Sequence, residues 1–160
     1  MSLDLVRKES KEKTQSELAP TSMIRVDTGN GHGSTNTTIR RFSNITESVG
    51  SDITYADSST DGNSFTINRD GVYTISYTDL RVAADINMGI SLNSANLTTA
   101  VHDLTASERL IMMRQTGNDY GSCSVTVRLS ASDVIRAHSD GAADSTADAV
   151  QFVITQVAKL

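Results

Sequence analysis

Tryptophan is absent from this 160-residue chain, proline and cysteine occur once each, and aromatic residues amount to 4%. A core must therefore be assembled mainly from Val, Ile, Leu, Met and Ala. That is lean for a lone domain of this length, which buries roughly 70% of the surface its unfolded chain exposes; apolar burial between subunits would supply what one chain lacks. The single thiol, Cys123, excludes an intrachain disulfide, and its alternation with Val125, Val127 and Leu129 predicts a buried side chain. No window approaches the ~20 apolar residues of a membrane span, and Met1 to Leu5 lack the apolar run of a secretory signal. The expectation is a soluble chain made in a cytosol, with the sequons at Asn36, Asn44 and Asn96 unmodified. A formal charge of −5 and the lack of a basic block argue against direct binding of nucleic acid.

Composition shifts once, near Pro20. Before it, Arg7 to Glu17 is charged, balanced in sign and almost free of apolar residues, a composition that cannot form its own core. Leu3, Leu5, Val6 and Leu18 do not make a continuous stripe at helical spacing. Residues 1–20 are therefore read as an N-terminal attachment arm and 21–160 as one β-sandwich domain. From Thr21 onward, short strand signals alternate with Gly, Asn, Asp and Ser clusters, the pattern of an all-β sandwich. Met23 to Asp27, Thr38 to Phe42 and Ser51 to Tyr55 are the first three candidate strands, Asn30 to Ser34 is read as a loop, and Asp57 to Gly62 as a turn.

The stretch from Asn63 to Tyr77 reads as a β-hairpin closed by a tight Asp70-Gly71 turn. Tyr73, Ile75 and Tyr77 share one face and Thr74, Ser76 and Thr78 the other, as a two-residue period demands. Ile86, Met88, Ile90 and Leu92 repeat the alternation, and Cys123 to Leu129 does so again. Two segments break it. Leu110, Ile111, Met112 and Met113 are consecutive apolar residues, and Val150 to Ile154, with Phe152 and Ile154, places large groups on both faces. Both strands are expected to be covered twice, the second time by a neighbouring subunit. Tyr73, Tyr77, Leu110 to Met113, Phe152 and Ile154 are the residues assigned to core or trimer interface.

Candidate chemistry is sparse. His32 lies between Gly31 and Gly33, but a phosphate-cradling loop needs a following helix N-terminus, and strand signals follow instead. His102, Asp103 and Ser107 carry a nucleophile and a base without any elbow or oxyanion pattern, so a surface loop is expected. Asp140, Asp144 and Asp148 in one loop, and Asp57, Asp61 and Asn63 in another, offer calcium-type oxygens but match no EF-hand. His138 and Asp140 lack a second His at transition-metal spacing. No cofactor is expected, structural calcium being the lesser alternative, and no enzyme.

Phe65, the Asp70-Gly71-Val72-Tyr73 turn, Tyr77, Ile90 to Asn93, Leu129 to Val134 and Phe152 resemble, in order and spacing, the landmarks of the C1q and tumour-necrosis-factor-like jelly roll, over about Thr38 to Val157. Ser132 stands where that family usually has glycine. The resemblance implies a homotrimer of ten-stranded sandwiches. Collagen-like repeats are absent, and Arg25 to Thr37 running into Ile39 to Phe42 is similar to the openings of phage-type proteins with this fold. The resemblance thus implies a bacteriophage virion protein, made in the host cytoplasm.

Two functions fit. In the first, a trimeric decoration or cement protein sits on the capsid surface and holds the major capsid protein, or another virion protein, through its arm. There Leu3, Leu5, Val6 and Leu18 supply apolar anchors and Arg7, Lys8, Lys11 and Lys13 meet acidic groups. In the second, the loops around His32, Asn96 to His102 and Asp140 to Asp148 form a receptor- or glycan-binding head. Twenty residues reach at most ~70 Å when extended, a peg rather than a fibre shaft, which favours the first.

Overall fold

A computed structural model describes residues 22–81, 86–116, 119–141 and 150–160. The arm, with all eight of its proposed anchor residues, lies outside that set, as do Asp144 and Asp148. Ten strands are present: β1 (Met23–His32), β2 (Arg40–Val49), β3 (Ile53–Ser58), β4 (Gly62–Ile67), β5 (Gly71–Arg81), β6 (Ile86–Leu92), β7 (Arg109–Gln115), β8 (Asp119–Leu129), β9 (Val134–Ser139) and β10 (Gln151–Lys159). They form two five-stranded antiparallel sheets, in the orders β2-β1-β10-β5-β8 and β3-β4-β9-β6-β7, packed face to face as a jelly-roll sandwich. The expected all-β, ten-stranded architecture is what the described residues adopt.

The two-residue period sets which side chains fill the space between the sheets. Ile24 and Val26, Tyr73, Ile75 and Tyr77, and Phe152 and Ile154 point in from the first sheet; Phe65 and Ile67, Met88 and Ile90, and Ile135 and Ala137 point in from the second. The scarce aromatics are concentrated at one spot. Phe152 stacks on Phe65 at a centroid distance of 4.7 Å, with Tyr77 at 5.6 Å and Phe42 at 6.1 Å. A chain with few rings thus spends them on the bridge between sheets, where each contributes most area.

The structure corrects the expected hairpin. β4 pairs with β3, in register from Ile53↔Ile67 to Ser58↔Gly62, while β5 pairs with β10 and β8 in the other sheet. The Asp70-Gly71 corner therefore carries the chain from one sheet to the other. Gly71 is not required by its backbone angle: it is absent from the positive-φ glycines, which are Gly31, Gly50, Gly62 and Gly141. Its role is close approach, because a Cβ there would lie 2.7 Å from the Ala158 carbonyl, beside the bulge in β10. The Asn30 to Ser34 loop is also corrected: β1 runs on through His32, with a register shift between Gly29 and His32. Thr38 and Ile39 precede β2, Ile39 making only an isolated bridge to His138.

Ser132 adopts φ 79°, a left-handed conformation that penalises a side chain and suits glycine. The turn is kept by the Ser132 amide donating to the Ile67 carbonyl at 2.7 Å, so the backbone is held there regardless of residue type. Ser132→Gly is expected to stabilise the domain by up to about 1 kcal/mol, since it removes strain at the cost of a more flexible unfolded chain. Urea denaturation at constant slope would register the gain; an unchanged or lower midpoint would contradict it.

Candidate functional site

The sandwich has two chemically different ends. At the first, the chain enters through Ser22, which is buried: its carbonyl accepts from the Gln156 amide at 2.9 Å and its hydroxyl from the Asp52 amide at 3.0 Å. Asp52 also lies 3.8 Å from Arg69 and 3.7 Å from Lys159, and the Leu160 amide reaches the Asp70 carbonyl. Both Ser22 and the C-terminus are therefore fixed at this end, the base. The opposite, distal end carries the 33–38 and 59–61 turns, knitted by Ser34 to Ser59 and Thr35 to Thr60 backbone bonds of 2.9 and 3.0 Å.

The outward face of the first sheet is uncharged at its centre. Thr74 meets Thr126 and Ser76 meets Ser124, hydroxyl to hydroxyl at 2.9 Å, and Thr78 donates to Ser122 at 3.2 Å. On the other flank Thr74 is opposite Thr155 and Ser76 opposite Val153. In a chain with 21% charged residues, the centre of these three adjacent strands presents hydroxyl, amide and valine side chains, a patch depleted of charge as interface centres are, with Arg128 at its margin on β8.

Of the residues assigned to core or interface, Tyr73, Tyr77, Phe152 and Ile154 are all within the sandwich core. Leu110, Ile111 and Met113 are half-buried on β7, packed against that core, while Met112 points outward and is 36% exposed. β7 is an edge strand and lies beside the edge strand β8, whose Tyr120 is 63% exposed.

The second sheet's outer face is crossed by residues 93–108, a strap that departs from β6 and returns to β7. The Asn93 side chain donates to Asp133 at 2.7 Å, and farther on the His138 ring nitrogen Nε2 lies 2.8 Å from the Thr99 carbonyl. Val101 and Leu104 are the strap's buried apolar side chains; a Cβ on Gly89 would run into the Ile111 carbonyl and the Val101 side chain. Around the strap's 3-10 turn (Val101–Asp103), His102 Nδ1 sits 2.9 Å from Asp140 Oδ1, and Asn87 donates to Asp140 Oδ2 at 2.7 Å.

These contacts decide what the candidate chemical groups do. The His102 imidazole is held above its usual range by the hydrogen bond and charge of Asp140. Burial would raise the Asp140 carboxyl, yet the bonds from His102 and Asn87 hold it below the usual range. His102 Nε2 lies 3.4 Å from Asp103, but Ser107 bonds Thr105 rather than His102, so the three are not assembled as a nucleophile and base. His32 lies 3.0 Å from the Ser139 hydroxyl. His138 uses both ring nitrogens, on Ser91 and Thr99, leaving neither for a metal. Asp57 is engaged by Arg41 at 2.7 Å, and buried Asn63 by the Arg40 carbonyl and Ala137 amide. Among the described residues no group of three His, Cys, Asp or Glu is placed to hold a metal ion. Cys123 is buried, and burial pushes its thiol up to about 11, which makes it a poor nucleophile.

A buried polar cluster between the sheets escaped the sequence reading. The Arg40 guanidinium donates to Asp79 at 3.1 Å, the Tyr77 hydroxyl donates to the same carboxylate at 2.6 Å, and Gln115 donates to the Asp79 carbonyl at 3.1 Å. Arg40 is 1% and Asp79 0% exposed. The available signal was periodicity: Asp79 continues the inward series Tyr73, Ile75, Tyr77, and Arg40 shares the face of Phe42.

Two antiparallel five-stranded sheets with this crossing pattern define a jelly-roll sandwich. Comparison with solved structures makes that assignment narrower: the fold is tumour-necrosis-factor-like. The crystal structure of murine APRIL at pH 8.0 superposes with a TM-score of 0.62 over 84% of this chain and 98% of that one, at 11% identity. The Eiger TNF of S. frugiperda gives 0.55 over 89% and 96%, at 12% identity. No protein-family model matches the sequence, and no curated protein matches it. At these identities the likeness is one of fold.

Proposed function

We propose that the chain is a trimeric bacteriophage capsid decoration protein that grips the shell through its N-terminal arm and acts without catalysis or a cofactor. The observation that carries this reading is the position of Ser22: the arm leaves the sandwich at the base, so a bound arm directs the 33–38 and 59–61 turns away from the surface it holds. The charge-depleted centre of the first sheet's outer face and the exposed Met112 suit self-association, and the trimer is what the family resemblance implies. Three arms on one particle bind as a multivalent unit, so each is weak alone while the assembly stays attached through high effective concentration. The major capsid protein, or another virion protein, is the partner and the capsid surface the location.

A receptor- or glycan-binding head is the second reading. It is favoured by the distal grouping of His32, His102, Asn87 and Asp140, polar side chains already fixed by hydrogen bonds. One experiment separates the two. Light scattering gives the mass of the full-length protein, and co-sedimentation with undecorated capsids gives binding; a variant lacking residues 1–19 is expected to remain trimeric and to lose capsid binding. Retained binding would remove the arm's role, a full-length trimer that ignores capsids would favour the head, and a monomer would undercut both.

A further inference from the structure

Four steps in the sequence join Asn or Asp to Gly: Asn30-Gly31, Asp61-Gly62, Asp70-Gly71 and Asp140-Gly141. At such a step the backbone nitrogen of the glycine can attack the side-chain carbonyl of the residue before it, because no Cβ crowds the approach and the glycine backbone turns freely. Attack needs an unrestrained side chain and room for the backbone to swing. The fold withholds these at three of the four. Asn36 and Ser58 each donate to the Asp61 carboxylate at 3.4 Å, and a Cβ on Gly62 would lie 2.5 Å from Ile39. Asp70 accepts from the Ala131 amide at 2.8 Å, and Gly71 is packed against the Ala158 carbonyl. Asp140 is held by His102 and Asn87, and the Gly141 amide that would attack it donates to the Ser139 hydroxyl at 3.2 Å.

Asn30 differs on each count. Its side chain is exposed and makes no hydrogen bond among the described residues, whereas every other described asparagine, from Asn36 to Asn96, has a bonded side chain. Nothing lies within 4 Å of where a Cβ on Gly31 would sit. The φ of 70° at Gly31 belongs to a bulge: between the pairs Gly29↔Phe42 and His32↔Arg40, two residues of β1 stand opposite Arg41 alone. A bulge interrupts the ladder that would otherwise hold the main chain extended.

We propose that Asn30 is a self-modification site, at which the folded protein converts its own asparagine to aspartate and isoaspartate through a succinimide. The Gly31 nitrogen gives up its proton to water and bonds to the Asn30 side-chain carbonyl carbon; the bond from that carbon to the carboxamide nitrogen breaks, and ammonia leaves. Water then adds to either carbonyl of the ring and opens it, to a normal or a β-linked aspartate. The net reaction consumes one water and releases one ammonia, with nothing oxidised or reduced. The product is one unit more negative than the formal −5 of the chain, and the new charge arises beside the distal 33–38 turn. The β-linked form also lengthens the main chain by one carbon, next to the Gly31 carbonyl that accepts from buried Arg40 at 3.4 Å. Residues 30 and 31 carry no pair in the ladder, so the bulge takes up the added length.

The test is incubation of the folded, full-length protein in mildly alkaline buffer, followed by digestion and mass spectrometry, with a urea-unfolded sample alongside. The peptide containing Asn30 should gain about 1 Da, the exchange of an amide for an acid, ahead of every other asparagine, and split into two chromatographic forms. The Asp61, Asp70 and Asp140 peptides should keep a single form until the protein is unfolded. In Asn30→Gln, whose longer side chain would have to close a larger ring, the mass gain at residue 30 and the acidic charge variant should both be lost. No gain at Asn30 in the folded protein while the unfolded sample shows it, earlier conversion at any other asparagine, or equal isomerisation at the Asp-Gly steps in the folded protein would each overturn the proposal. These comparisons use the wild-type protein alone, so they stand whatever the variant does.

Discussion

Asp79→Asn will lower the stability of the domain by about 3–5 kcal/mol, the cost of leaving a buried charge without its partner. The carboxylate takes Arg40 on one oxygen and the Tyr77 hydroxyl on the other, with both charged side chains sealed from solvent. An amide preserves the shape but cannot neutralise the guanidinium, which also makes a long 3.4 Å bond to the Gly31 carbonyl. The surroundings are also fitted to the guanidinium: a Cβ on Gly29 would lie 2.6 Å from its Nη2. For a chain of this length the loss corresponds to roughly 6–20 °C in Tm. The joint change Arg40→Met with Asp79→Leu is expected to recover most of it, because removing both charges removes the desolvation penalty as well. Thermal melts of the single and double variants decide the matter; an Asp79→Asn protein melting with the wild type would show that the pair does not hold the sheets.

Phe152→Ala is the second large effect, at about 3–5 kcal/mol from lost burial and the cavity left behind. Phe152 touches ring systems from both sheets, Phe65 at 4.7 Å on one side and Tyr77 at 5.6 Å and Phe42 at 6.1 Å on its own. With no tryptophan in the chain and three phenylalanines in all, the void cannot be filled by a neighbouring large side chain without displacing another member of the same cluster. Phe152→Leu should cost distinctly less, since it keeps much of the volume. Equal losses for Ala and Leu in urea denaturation would mean that ring stacking, rather than volume, is what the position supplies.

Sequence periodicity reached the fold but not its connections. Alternation identified the faces of β5, β6 and β8 because each has one side in the core, and side-chain direction in a strand is fixed by residue parity. The supposed hairpin failed for a reason parity cannot detect: a short corner looks the same whether it joins neighbours in one sheet or crosses between two. Only pairing partners distinguish them, and those lie far away, in β3 for β4 and in β10 and β8 for β5. The contacts of buried His138 were illegible for a similar reason, since Ser91, Thr99 and His138 belong to separate segments. Asp79 and Arg40 were within reach, because extending the parity of their strands by one step places both inside. A charged side chain ordinarily faces solvent, and at these two positions a charged partner replaces it.

The clasp at Ser22 also bears on how the molecule could be rearranged. Its entry point and its last residue share one end, where Ser22 bonds Gln156 and Leu160 bonds Asp70, so the sandwich is nearly a closed loop of chain. In such a loop the position of the termini is an accident of the gene rather than a requirement of the fold. A segment joined after Leu160 would thus emerge at the same base as one that precedes Ser22, away from the distal turns.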